Sequence, residues 1–180
     1  MYQKKEGFTL IELLVVIAII GVLASLVLVS MRGLRARARD ARRLEDMRQI
    51  VNALQLYHSN HEAYPGPTSS YGESESVCGG WDSSNTDNDA DGKPFIEPLV
   101  DEGLMVVPVD PVSGGTCAGY RYYRYSAGSY GCNSNRGAYF VLGVNDMESS
   151  GNPHSASPGW SCPTRNWQGE FDWVTGGFEN

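Results

Sequence analysis

The stretch Asp87-Asn88-Asp89-Ala90-Asp91-Gly92 places oxygen-bearing side chains at alternate positions and closes on a glycine. That spacing fits a short calcium loop, because alternate carboxylates converge on one side of a tight turn and the glycine permits the bend. A complete EF-hand also needs a bidentate Glu at the twelfth position, and Pro98 stands there, with Glu97 one place early. The competing reading is a hydrophilic Asp/Asn turn. Cys78, Cys117, Cys132 and Cys162 contain no C-x-x-C pair, which argues against a zinc ribbon or a thioredoxin-like redox site. An even number of cysteines beyond an apolar segment points to two disulfides formed in an oxidising compartment. Cys117 and Cys132 flank YRYYRY and could pair across a hairpin base, leaving Cys78 for Cys162; all three connectivities stay open. His58, His61 and His154 are not spaced as a catalytic set, and no G-x-S-x-G, H-E-x-x-H or P-loop occurs. The expectation is a protein that is not an enzyme.

The most unusual charged group is Glu12. It lies inside a run of 22 residues, Phe8 to Val29, that carries no other charge. As a helix, such a run reaches about 33 Å, enough for a bilayer core. It is too long for a secretory h-region, and Ala24-Ser25 is a weak cleavage site. Lys4 and Lys5 on the short leading side favour an N-terminus left in the cytoplasm, with the bulk of the chain outside. A carboxylate at that depth is costly without a partner. It either reaches back to the interface or pairs with a positive group on a neighbouring subunit. Cleavage after Gly7 would create such a group, an α-amino on Phe8, one helical turn from Glu12.

The elements that must position these groups follow from patterning. No proline interrupts residues 8–63, and one helix from about Thr9 to Ser59, roughly 75 Å long, is expected. Beyond Val29, Leu34, Ala38, Ala41, Leu44, Met47, Val51, Leu54 and His58 recur at spacings of three and four, which predicts one buried face. Arg35, Arg39, Arg42 and Arg43 fall off that face. They suit anionic headgroups, a solvated surface, or the acidic heads of neighbouring subunits. Tyr120–Tyr125 and Ala138–Val144 read as strands joined through Gly128–Asn135, with Met105–Val109 and Phe171–Thr175 as weaker strands. Phe95–Glu102 reads as a short helix ended by Gly103. The fold class is α+β: a long N-terminal helix packed on a small antiparallel sheet.

Charge divides the chain. Residues 1–48 hold nine Lys/Arg against five Asp/Glu, a net of +4, and residues 49–180 hold five against sixteen, a net of −11. The acidic portion would repel nucleic acid, so no direct nucleic-acid binding is expected.

The segment Gly7-Phe8-Thr9-Leu10-Ile11-Glu12, preceded by a lysine-bearing leader and followed by apolar residues through Ala24, closely resembles the class III signal of type IV prepilins and type II secretion pseudopilins. The resemblance implies that a prepilin peptidase cuts between Gly7 and Phe8 and methylates the Phe8 amine. It implies that Glu12 docks the subunit onto a growing filament by neutralising the Phe8 amine of a neighbour. The order Tyr64-Pro65, Val107-Pro108-Val109-Asp110-Pro111, then Tyr120-Arg121-Tyr122 loosely resembles the major pseudopilin, with Val in place of Leu before Pro108 and longer loops. Major pseudopilins carry calcium on a loop after the last core strand, which makes Asn145, Asp146 and Glu148 an alternative metal site.

The domain expectations are a leader at 1–7, a transmembrane and assembly helix at 8–30, an amphipathic helix at 31–62 and a globular head at 63–180. The expected function is a structural subunit of a type IV pilus or type II secretion pseudopilus. The expected partners are copies of itself, the prepilin peptidase, an inner-membrane assembly platform and the membrane. The precursor would sit in the inner membrane with its head outside, and the filament would be periplasmic or extracellular. The alternative is a single-pass anchored extracytoplasmic binding domain that does not polymerise.

Overall fold

The fold was analysed in a computed structural model, which describes residues 7, 9–66, 78–84, 94–112 and 118–180. Helix α1 covers Leu10–His61, and side chains 27–30 and 32 within it lie outside the description. It runs to His61 because Glu62 takes the left-handed position at the helix end (φ 55°) and donates its N–H to the His58 carbonyl at 2.8 Å. The chain divides into two compact units, residues 1–38 and 39–180.

In the first unit α1 is apolar and uncovered. Leu10 is 80% exposed, Ile11 71% and Leu26 65%. Among the described residues no helix is long and apolar enough to cross a membrane; the described side chains of this apolar segment are those of residues 10–26.

The second unit is the α+β head. Its strands are β1 (Asp82–Ser83), β2 (Tyr120–Tyr125), β3 (Tyr139–Val144), β4 (Ser161–Cys162), β5 (Arg165–Asn166) and β6 (Trp173–Phe178), with a short helix α2 (Glu97–Asp101) before β2. The described strands form an antiparallel sheet in the order β1-β2-β3-β6 and a separate β4-β5 pair. All six residues of β3 are buried, as its unbroken apolar composition requires of a central strand covered on both faces. Phe140, Leu142 and Val144 face Met47, Ile50 and Leu54 of α1. Tyr139 and Val141 face a second, aromatic core built with Trp81, Tyr125, Trp167 and Phe171.

Three expectations change here. Met105–Val109 is extended but forms no strand; Pro108 and Pro111 withhold donors, and the segment instead hangs from α2 by N–H bonds of Leu104 and Met105 to the Leu99 carbonyl. The last strand starts at Trp173 rather than Phe171, because the Phe171 N–H is used by the Trp167 carbonyl in a 3-10 turn. The buried face of α1 is also not the apolar one drawn from the sequence. Ala38 and Ala41 are exposed, Leu34 too, while Asp40 and Arg43 are buried in line with Met47, Ile50 and Leu54.

Candidate functional site

The N-terminal site begins at Gly7, exposed and with open space where a side chain would sit. Phe8 and the leader lie outside the described residues. Thr9 and Glu12 close on each other. The Thr9 N–H and hydroxyl each donate to Glu12 Oε2 at 2.8 Å, and the Glu12 N–H donates to Thr9 Oγ1 at 3.3 Å. This is a reciprocal capping box, the Thr-x-x-Glu device that satisfies orphan donors at a helix start. Glu12 therefore fixes where α1 begins, a role the sequence reading gave only to Thr9. The apolar side chains that follow have no cover. Ser25 turns its hydroxyl inward to the Val22 carbonyl at 2.7 Å, leaving no free donor on that turn.

The head is held to α1 by a charged anchor. Arg43 is fully buried. Its Nε donates to Asp110 Oδ2 at 2.8 Å and its Nη2 to Asp110 Oδ1 at 2.9 Å, a bidentate pair. Its Nη1 donates to Asp40 Oδ1 and to Glu148 Oε1, both at 2.9 Å. Asp40 in turn accepts the N–H of Glu148 and, at 2.6 Å, that of Ser149. Arg39 pairs with both oxygens of Glu148. Burial opposes the Arg43 charge, but Asp110, Glu148 and Asp40 raise its pKa above the ordinary arginine value. Burial also pushes the Asp40 carboxyl up, yet the Ser149 and Glu148 bonds win and hold it below its usual range. Glu148, bonded first by Arg39, is lowered to about 2. Nearby, the Tyr120 hydroxyl donates to Asp46 at 2.5 Å, so Asp46 serves the sheet rather than Arg42.

This anchor corrects the placement of the arginines. Arg43 was assigned to the outer side of α1, and burial of a guanidinium is unusual enough that apolar periodicity steps over it. A signal existed: Asp40 precedes Arg43 by three positions, and both continue the spacing of Met47, Ile50 and Leu54. Asp110, between two prolines, is the third member that sequence reasoning passed over.

The metal candidates separate. Asp87, Asp89 and Asp91 lie outside the described residues. Of the alternative set, Asp146 is exposed, Asn145 has a buried Oδ1 without a hydrogen-bond partner in the structure, and Glu148 is engaged by two arginines. A cavity of about 420 Å³ joins Asn145, Asp146 and Glu148 to Arg43 and Val112. Among the described residues no group of three or more His, Cys, Asp or Glu is gathered to hold a metal ion.

The disulfide pattern differs from the hairpin-base pairing. Cys132 bonds Cys162, with Cα atoms 5.0 Å apart. Cys132 therefore does not serve Cys117, nor Cys162 serve Cys78. Cys78 is itself disulfide-bonded, and Cys117 lies outside the described residues. The cause is the sheet's second covered face: the β4-β5 pair folds over the aromatic core and brings Cys162 beside the turn after β2. The histidines have structural partners, His58 with the Glu179 carbonyl at 3.1 Å and His61 with Glu102 at 2.7 Å.

Comparison with known proteins agrees with the N-terminal reading. The prokaryotic N-terminal methylation motif matches residues 2–28. The type II secretion system core protein G of Escherichia coli is 44% identical over 63 residues, covering 35% of this chain and 43% of that protein. The same core protein of Aeromonas hydrophila is 38% identical over 63 residues, covering 35% of this chain and 44% of that protein. A fimbrial protein of Neisseria meningitidis is 38% identical over 72 residues, covering 40% of this chain and 42% of that protein. The chain thus spans less than half the length of the curated relatives it matches. No solved structure matches. The methylation motif, these relatives and the long helix packed on a small antiparallel sheet place the chain in the type IV pilin and pseudopilin family.

Proposed function

We propose that this protein is a structural subunit of a type IV pilus or type II secretion pseudopilus, anchored first in a membrane and then polymerised through α1. The observation that carries the reading is the bare apolar surface of residues 10–26 within the methylation motif. At roughly 25 cal/mol per Å² of apolar area, a helix of this length gains tens of kcal/mol when lipid or neighbouring helices cover it. Gly7 and Phe8 form the cleavage site for a prepilin peptidase, and the new Phe8 amine is methylated. Glu12 meets the Phe8 amine of a neighbouring copy in the dry interior of the filament. The head is a display module and carries no catalysis. Calcium at Asp87, Asp89 and Asp91 belongs to this reading on the strength of their spacing; melting the protein with calcium and then with chelator tests it, and equal midpoints reject it.

N-terminal mass analysis of the cell-derived protein tests the processing step. A chain beginning at methylated Phe8 is expected. A chain that keeps residues 1–7 while held in the membrane would point instead to an anchored binding domain that does not polymerise.

A further inference from the structure

We propose that the head carries a docking groove for a second copy of this chain, and that the groove receives the Met31–Ala38 segment of that copy. The inference rests on the filament reading and deepens it by naming which surfaces of two copies meet.

The groove lies between Gln49–Leu56 of α1 and the segment Leu104–Pro108, has a volume of about 390 Å³, and is lined on its apolar side by Ile50, Ala53, Leu56, Met105 and Val106. Leu56 is 51% exposed and Val106 89%. These are large apolar side chains left in water on a head whose other aliphatic residues are packed in two cores. No cation lines the groove. Just before Leu104 the chain presents Asp101 and Glu102, both exposed. The nearest cations on α1 are already engaged, Arg48 by Glu45 and His61 by Glu102. Asp101 has no ion pair among the described residues. The groove is apolar with an acidic rim.

The segment Met31–Ala38 is its complement. Met31, Leu34, Arg35 and Ala38 recur at spacings of three, one and three, which puts them on one helical face, and all four are exposed. Arg35 and Arg37 form no ion pair among the described residues. The face is apolar with a basic edge, and its charge is opposite to the rim's. Copies aligned in register would set arginine against arginine and acid against acid, each costly. Pairing therefore requires an axial offset between copies, so the charge division of the chain selects a staggered assembly over a flush one.

The test uses two full-length copies with different tags, expressed together in the native host. One carries Leu34→Cys and the other Val106→Cys. Filaments are sheared, oxidised mildly and separated without reductant. A disulfide-linked dimer carrying both tags is expected from the pair, and neither variant alone should give one. Filaments that assemble from the pair without a mixed dimer overturn the docking proposal and leave the filament reading standing. Absence of filaments from the unaltered chain overturns both. If the cysteine copies do not assemble, charge reversal decides. Arg35→Glu should lower filament yield at least tenfold, and Asp101→Arg in the same chain should restore it. Unchanged yield from Arg35→Glu, or no recovery in the double variant, overturns the proposal.

Discussion

Arg43 on α1 grips Asp110 through two parallel hydrogen bonds of 2.8 and 2.9 Å, with both side chains withdrawn from solvent. The pair ties the helix to the loop that enters β2. Asp40 and Glu148 complete it from either side. A buried guanidinium needs every one of these partners, because an ion taken from water loses several kcal/mol of hydration.

Arg43→Ala should therefore destabilise the head by about 3 to 5 kcal/mol, since it leaves Asp110 and Asp40 buried without a counter-charge. Asp110→Ala should cost a comparable amount. The double variant should be less harmful than the sum of the two, because neither unpaired charge then remains. Thermal melts of all three chains in detergent check this. Simple additivity would contradict the coupling.

Acid should loosen the same anchor. Glu148 is held down to about 2 by Arg39 and Arg43, below the unfolded carboxyl value of about 4.3. A depressed carboxyl adds stability above its unfolded pKa and loses it as pH falls through the folded one. The loss should thus develop between about pH 4.5 and pH 2. Glu148→Gln should remove the dependence in that window and lie closer to wild type at pH 2 than at pH 7. Denaturant midpoints across the range give the comparison. Parallel curves would mean the pairing is absent in solution.

The Cys132–Cys162 bond closes a sequence separation of 30. A loop of that size should add about 3 kcal/mol by restricting the unfolded chain. Replacing both cysteines with serine should lower the melting midpoint and loosen the β4-β5 cover, while leaving the α1–sheet core intact. Tryptophan fluorescence should report the first change, through Trp160 and Trp167. A shift confined to α1 would contradict the assignment of this bond to the outer face.

Gly143 and Gly176 lie where aromatic rings press on the sheet. A Cβ on Gly176 would come within 2.4 Å of the Trp160 ring, and one on Gly143 within 2.6 Å of Phe171. Gly176→Ala and Gly143→Ala should each destabilise by about 1 to 3 kcal/mol through overpacking. Gly151→Ala, which faces open space, serves as the neutral comparison in the same melts.

What could be read from sequence alone followed the physics of each segment. The uninterrupted helix, β2 and β3 were legible because proline-free and apolar runs carry their own periodicity. Gly7, Phe8 and Glu12 stood out because a charge within an apolar run has few explanations. The buried face of α1 was not legible, since it is completed by Asp40 and Arg43, and a hydrophobic count passes over a satisfied ion pair. Asp110 was hidden for the same reason. The partner of Cys132 depended on a second layer over the sheet, and that layer is made of turns, two-residue strands and aromatic contacts with no period to follow.

The central claim is that the charge of Glu12 docks one subunit onto another. The capping box lets a single substitution isolate that charge, because Gln can accept the Thr9 bonds at the helix start as Glu does. The measurement is the yield of sheared filaments relative to membrane protein for Glu12→Gln in the native host, with N-terminal mass analysis of the same sample. The account predicts a chain cut after Gly7, present in the membrane at wild-type level, with filaments reduced roughly tenfold or more, as an unmatched amine in a dry interface requires. Wild-type filament yield from the cleaved Glu12→Gln chain would contradict it and leave Glu12 as a helix cap alone.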